Sequence, residues 1–492
     1  MKTFLSVDLG AGSGRVIAAR FDGKAIAMEV VNRFDNTPVE LNGHLFWNAP
    51  SLLANIRAGL TLAHKKYGQI ASVGVDTWGV DYALMDRSGR MLSLPYAYRD
   101  VRNNPANTQG VFDKVGRKAL YLSTGIQFMD FNTIFQLNAE RNETDSLLPR
   151  ASHMLFMPDL INFFLCGEMA NEATIASTSQ MIDVQTRDWS QPLLDAVGVP
   201  DGLLSTPVQP GTVLGRIRGI SGLEGVPLVI VGAHDTASAV ASVPADPSSS
   251  WAYLATGTWA LLGVESTELV LTDLSYALSY THEGAVNGAF RYLKNCTGMW
   301  MIQELRRAWA ASGSAPDFDA LMNEAMGAEP FRSLIDPDYP AFQSPGGMPD
   351  KIVAFCRRTN QPVPETKGQF YRAAMEGIVM RYREVWRELE QLTGVKRDIL
   401  HMIGGATKDA LHCQMTSDAL NTKVICGPVE GAAMGNAIAQ MVGTGDLKTF
   451  DEGRRLVRDS IEVEYREPKD PNVWEDAFAR WKQCRSKAAG SK

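Results

Sequence analysis

No two of the six cysteines, at 166, 296, 356, 413, 426 and 484, stand in CxxC spacing, so the sequence carries neither a zinc ribbon nor a thioredoxin-like redox motif. No apolar run approaches the roughly 20 residues needed to span a bilayer. The opening segment reaches a charge at Lys2 and again at Asp8, before any signal-peptide core can form. A surplus of positive charge is missing as well. The net charge of −7 argues against a nucleic-acid or membrane-surface partner, both of which favour a basic face. With 45% apolar residues, 21% charged residues and no low-complexity tract, the composition is that of a soluble globular protein, and a reduced cytoplasmic enzyme is expected. The 492 residues exceed one ordinary core and suit two large α/β domains, or about three smaller units.

The glycines near the start lack what a dinucleotide fingerprint or a P-loop requires. An apolar strand is expected from Phe4 to Val7, followed by the turn Gly10-Ala11-Gly12-Ser13-Gly14. After it, Arg15 to Phe21 is β-branched early and stops at Asp22-Gly23, as a strand should. A dinucleotide fingerprint or a P-loop needs a helix after its glycines, and the P-loop also ends in Lys-Ser/Thr. The strand–turn–strand layout returns late in the chain, with Trp251 to Ala255, then Thr256-Gly257-Thr258, then Trp259 to Val264. Pro244 to Ser250, just before it, is the most linker-like stretch. Two glycine hairpins, each near the start of a half, predict a duplicated domain with a cleft between the copies. The expected division is 1–243, 244–455 and a C-terminal segment 456–492. Further strands are expected at 71–75, 82–85, 228–231 and 400–403, with amphipathic helices at 375–392 and 474–485. Alternating strands and helices point to α/β architecture, with ligand-binding residues gathered where strands end.

Several polar residues sit at such ends. Asp8 follows a buried strand and precedes the first glycine turn. A carboxylate there suits Mg²⁺, which keeps several waters and needs only one or two carboxylates beside phosphates; it equally suits a solvated turn. Asp235, in His234-Asp235-Thr236-Ala237-Ser238-Ala239-Val240, has two readings. Asp235 or Thr236 is a helix N-cap, or Asp235 is a general base, ionised near neutrality, toward a substrate hydroxyl. Thr256-Gly257-Thr258 offers hydroxyls and amides without bulk. Gly404-Gly405 lets a flat base or a ribose approach the backbone, or makes an ordinary turn. Asp76-Thr77-Trp78-Gly79-Val80-Asp81 combines carboxylates with an indole, which match the hydroxyl edges and C–H faces of a sugar, or serve a structural Trp between acidic turns. Tyr98-Arg99-Asp100 and Lys294-Asn295 are further polar candidates.

Together these segments resemble the FGGY carbohydrate kinases of the actin–hexokinase–Hsp70 superfamily, and within that family the kinases acting on L-rhamnulose. The matching stretches are VDLGAGSGRV (7–16), GVDTWGVDYALMD (74–86), LPYAYRD (94–100), TGIQF (124–128), FNTIFQL (131–137), MPDL (157–160), HDTASAV (234–240), TGTWALLG (256–263), LKNCTGMW (293–300) and IGG (403–405). The likeness runs to about residue 440. DTWGVD together with HDTASAV is specific within the family, whereas the glycine turns identify only the superfamily.

The resemblance implies two duplicated ribonuclease-H-like domains of the actin-like ATPase type, with the active site in the cleft between them. It further implies ATP and Mg²⁺ as cofactors, a small-molecule sugar as the partner, and a monomer or homodimer. By carry-over, Ala11, Gly12, Ser13, Gly14 and Arg15 contact ATP phosphates together with Thr258, while Gln303 and Gly405 complete the nucleotide site. Asp76, Trp78, Gly79, His234, Asp235, Thr236 and Asn295 line the sugar pocket, with Asp235 as proton acceptor and Asp8 serving the metal. The expected reaction is phosphorylation of the 1-hydroxyl of L-rhamnulose. Kinases for L-fuculose or L-xylulose, and a non-catalytic sensor of the same fold, are the alternatives. One departure concerns the nucleotide: family members often carry three glycines where this chain has Gly404-Gly405-Ala406, followed by Thr407-Lys408-Asp409.

Overall fold

A computed structural model describes residues 1–313 and 316–490. The chain forms two compact units that do not follow chain order. The first takes Met1–Ala245, Glu265–Tyr292 and Glu430–Glu462; the second takes Asp246–Val264, Leu293–Val429 and the residues from Val463 on.

The first unit is organised by six strands: β1 (Lys2–Leu9), β2 (Ser13–Phe21), β3 (Ile26–Asp35), β4 (Ser72–Thr77), β5 (Val213–Arg216) and β6 (Pro227–Val229). They lie in the order β3-β2-β1-β4-β6-β5. β1 is buried from Thr3 to Leu9, so its near-continuous apolar run reads as a central strand covered on both faces. Antiparallel pairing with β2 sets Asp8 opposite Arg15, and parallel pairing with β4 sets Asp8 beside Asp76. Register alone thus brings two carboxylates and a guanidinium to one strand end.

Helices cover both faces. Ala49–Tyr67 starts under the Asn48 side chain, which accepts from the Ser51 N–H at 3.1 Å. Gly59 lets that helix press on β2, since a Cβ there would come within 2.5 Å of a Val16 methyl. The short helix Asp235–Ala241 is gripped by the helix Gly431–Gly443. A Cβ at Gly435 would sit 1.7 Å from the Ser238 carbonyl oxygen, so only glycine permits this approach. The Ser6 hydroxyl donates to Ala433 O at 2.8 Å, tying the same helix to β1. Asp235 therefore rests on an element locked by backbone-to-backbone packing.

The second unit repeats the plan with β7 (Trp251–Thr256), β8 (Trp259–Ser266), β9 (Phe290–Thr297), β10 (Ile399–Ile403), β11 (Lys423–Cys426) and β12 (Glu464–Arg466). They are six of that sheet's seven strands and run in the order β9-β8-β7-β10-β11-β12. Four neighbouring pairs in each unit match in direction: antiparallel hairpin, parallel, parallel, antiparallel. The duplication expected from the two hairpins is present across these four pairings. The expected helices are longer than their periodic stretches, spanning Lys367–Thr393 and Pro471–Gly490. Tertiary contacts hold the second of them, as where the Trp481 indole donates to Ile335 O at 2.8 Å. The strand expected at 228–231 is shifted to Pro227–Val229, because the chain leaves the sheet to deliver His234. Among the described residues all six cysteines are free and buried, and no helix is long and apolar enough to cross a membrane.

Candidate active site

In the first unit, Asp8 and Asp76 are 4% and 0% exposed. The Arg15 guanidinium bridges Asp8 and Glu430. Burial pushes the Asp8 carboxyl up to about 6, against the pull of Arg15 and with the help of the negative charges on Asp235 and Glu430. Burial and the neighbouring Asp8 hold Asp76 well above the usual carboxylate range. One Asp76 oxygen accepts from Asn436 Nδ2 at 2.6 Å, and the other has no hydrogen-bond partner. Behind Asn436 stands Gln440, whose Nε2 donates to Asn436 Oδ1 at 2.7 Å and to Leu5 O at 3.1 Å while its Oε1 accepts from Ser72 at 2.7 Å. Neither amide was singled out in the sequence, though two amides four residues apart in an otherwise apolar helix were a legible signal.

The hairpin joining β1 to β2 is closed by Gly10 N–H donating to Ser13 O at 2.9 Å. Ala11 and Ser13 are half-buried and Gly12 is exposed with open space around it. Gly14 is different: a Cβ there would meet the Phe34 ring at 2.2 Å, so packing explains that glycine.

Asp235 occupies the first position of its helix and His234 the cap, which makes no side-chain capping bond. The N-cap reading of Asp235 and Thr236 is thus replaced. The Asp235 side chain is 32% exposed, and its charge reaches both Asp8 and Asp76, raising each. Thr236 Oγ1 donates to Asp235 Oδ1 at 3.1 Å, and His234 Nε2 lies 3.6 Å from the same oxygen. A bridge between Thr77 and His234, with Thr77 N–H donating to Ala233 O at 2.8 Å, brings the two singled-out motifs side by side. Gly79 faces His234, since a Cβ there would lie 3.5 Å from Nε2. On the far side of the ring, Glu283 and Arg291 approach Nδ1; sequence reading missed both, because they lie in a distant hairpin with no local motif.

Below Gly79 the backbone is strained. Val80, a β-branched residue, has φ of 69°, and its carbonyl accepts from Thr133 at 2.7 Å. The next residue explains how this bend is held. Asp81 is 1% exposed and accepts from Trp47 at 2.6 Å, Trp78 at 2.9 Å, Tyr98 N–H at 3.0 Å and Gln136 at 2.9 Å. Even so, burial outweighs these donors and lifts its carboxyl to about 6. Trp78 is 6% exposed and packs on Trp47 with ring centroids 4.1 Å apart, so its bearing on the site runs through Asp81.

The second unit holds the remaining candidates. Thr258 sits at the β7–β8 turn, with its Oγ1 3.4 Å from the Gln303 side-chain amide. The turn is clamped by Met299 N–H to Gly257 O at 2.9 Å and Trp300 N–H to Thr258 O at 3.2 Å. Gly404 has φ of 98°, and a Cβ there would strike Thr256 O at 2.5 Å; Gly405 is exposed and meets nothing within 4 Å. Asn295 is half-buried on β9, apart from this cluster in sequence, between buried Lys294 and Cys296.

Two family profiles match the chain: the N-terminal domain of the FGGY family of carbohydrate kinases over residues 3–242, and its C-terminal domain over residues 252–444. A rhamnulokinase of Bacteroides thetaiotaomicron is 40% identical over 98% of this chain and 99% of its own length. A rhamnulokinase of Enterococcus faecalis is 38% identical over 94% of each. Among solved structures, a xylulose kinase from Lactobacillus acidophilus superposes with a TM-score of 0.81 at 16% identity, covering 100% of this chain and 99% of that one. A glycerol kinase from Plasmodium falciparum gives 0.78 at 16% identity, covering 99% and 98%. At such identity these structures speak for the fold, which is the two-domain α/β kinase fold of the actin-like ATPase type. The chain belongs to the FGGY family of carbohydrate kinases.

Proposed function

We propose that this chain transfers the γ-phosphoryl group of ATP to the 1-hydroxyl of L-rhamnulose, giving L-rhamnulose 1-phosphate and ADP in L-rhamnose catabolism. The choice of sugar rests on the likeness to rhamnulokinases over nearly the whole chain. The chemistry rests on one observation: Asp235, half-exposed at a helix start, is close enough to Asp8 and Asp76 to raise both.

In this reading Asp235 accepts the proton of the attacking hydroxyl, a contribution typically worth about 10²–10⁴ in rate. His234, Thr236 and Gly79 hold the sugar beside it, with Asp76 and Trp78 shaping the pocket wall and Asn295 as a further sugar contact. The hairpin Ala11 to Arg15 presents backbone amides to phosphate oxygens, and Thr258, Gln303 and Gly405 serve the nucleotide. The first unit thus carries base, metal side, the first phosphate hairpin and all the sugar contacts but Asn295, and the second carries Asn295 and the remaining nucleotide contacts.

Mg²⁺ fits the first unit. Asp8 and Asp76 adjoin in register, are buried, and carry one oxygen without a partner. Among the described residues no group of three or more His, Cys, Asp or Glu forms a metal cage. Such a pair suits an ion that takes one or two carboxylates and its other ligands from phosphates and water. Bound as Mg·ATP, the ion neutralises charge on the phosphates while positioning does the rest.

The test is ADP release with Mg·ATP against L-rhamnulose, L-fuculose, D- and L-xylulose and glycerol. Strong preference for L-rhamnulose is expected. Turnover of another sugar would move the acceptor, and sugar-independent or absent ADP release would remove the kinase reading.

A further inference from the structure

His234 touches Asp235 with one ring nitrogen and a buried ion pair with the other. Its Nδ1 lies 3.0 Å from Arg291 Nη2 and 3.4 Å from Glu283 Oε2. Arg291 is fully buried, and its Nη2 also donates to Glu283 at 2.9 Å while its Nε donates to Gly284 O at 3.0 Å. One ring nitrogen cannot accept from the guanidinium and donate to the carboxylate at once. A guanidinium has donors only, so the closer partner requires a lone pair on Nδ1. Glu283, already satisfied by Arg291, has less call for a proton from the ring. With Nδ1 as acceptor, the single ring proton sits on Nε2, which faces Gly79 and stands 3.6 Å from Asp235 Oδ1.

We propose that Arg291, with Glu283 holding it, is a positioning residue that fixes His234 as the neutral Nε2–H tautomer. The ring is then a hydrogen-bond donor toward the ligand, while Asp235 beside it is an acceptor. A donor and an acceptor 3.6 Å apart match a hydroxylated ligand, whose hydroxyl oxygens accept from Nε2–H and whose hydroxyl proton points to Asp235. This inference rests on the sugar-kinase reading for its ligand, but the tautomer itself does not.

The experiment is long-range ¹H–¹⁵N NMR of the full chain with ¹⁵N-labelled histidine, the His234 signals being assigned by their loss in His234→Asn. Expected is a pyridine-type Nδ1 and a pyrrole-type Nε2 at neutral pH. A pyrrole-type Nδ1, or two protonated nitrogens, would overturn the proposal. Kinetics supply the second arm. Replacing the whole pair, Arg291→Met with Glu283→Met, should mix the tautomers and raise the sugar KM by about tenfold, the equivalent of one lost hydrogen bond to a charged or aligned partner, with kcat and the ATP KM changed far less. Arg291→Lys, which keeps a donor, should restore both signature and KM. An unchanged tautomer in the double variant would also overturn the proposal. If the double variant does not fold, the wild-type spectrum and Arg291→Lys still decide. Asp235→Asn should leave the His234 tautomer in place. Should that variant keep its turnover, the base reading fails while the tautomer assignment stands.

Discussion

The two glycine hairpins occupy equivalent places in equivalent sheets, yet their chemistry differs. In the first unit the residue one step before the turn is Asp8, paired with Arg15 across the hairpin and Asp76 on the parallel neighbour. In the second unit the corresponding positions hold Ala255, Leu261 and Ile403. One strand end thus carries three ionisable side chains where the other carries three apolar ones. What remains at the second hairpin is neutral: Thr256 donates to Ile403 O at 2.8 Å, and Thr258 leans on Gln303. A fold duplicated in backbone has kept charge on one copy only. On the proposed reading the charged copy handles proton and cation, and the neutral copy offers amides and hydroxyls to a phosphate.

The sharpest way to break this contrast is Asp235→Asn. Sugar binding should persist while turnover falls by about 10²–10⁴ or more; near-normal kcat would take Asp235 out of the mechanism. Next comes Asp8→Ala, in which half-maximal activity should need much more Mg²⁺ or fail outright. An unchanged Mg²⁺ titration would sever Asp8 from the metal. Acidification gives the same test without mutation. Asp8 gains its proton as pH falls through about 6, so the apparent Mg²⁺ requirement should rise below that pH and stay flat above it.

Much of this contrast was legible in the sequence. Asp8, Asp76 and Asp235 each end or follow an apolar strand, and both hairpins announced themselves by glycines between strand-like runs. The interleaved units were not legible, because the return of Glu430–Glu462 to the first unit is a matter of packing at Gly435 and Ser6. Arg291 and Glu283 escaped for a similar reason: they reach His234 through tertiary contact and have no sequence neighbour that marks them. Trp78 had two readings, a sugar-facing indole or a structural Trp beside acidic turns, and its indole N–H donates to the buried Asp81 three residues on.

A smaller effect separates Gly12 in the first hairpin from Gly404 at the end of β10. Gly404→Ala combines a φ of 98° with a Cβ 2.5 Å from Thr256 O, and backbone cannot move aside. A loss of about 1–3 kcal/mol in urea unfolding is expected, together with a raised ATP KM. Gly12→Ala meets nothing within 4 Å, and its stability should change by less than about 0.5 kcal/mol. Equal destabilisation of both would mean that the approach of Thr256 O does not constrain position 404.

The smallest effect concerns the stability cost of keeping carboxylates at the charged end. Asp81 is lifted from 3.8 to about 6 by burial, so the folded state holds its proton more tightly than the unfolded chain does. Stability from this group is present below pH 4 and is lost as pH rises through about 6. Asp81→Asn removes that ionisation while leaving an oxygen for the Trp47, Trp78 and Tyr98 donors; the contact with Gln136 is the part sacrificed. The variant should therefore melt below the wild type at pH 5, with the gap closing or reversing by pH 8. A gap that stays constant across that range would show that Asp81 keeps the same charge throughout, and that the strained Val80 bend is held by an ion and not by a carboxylic acid.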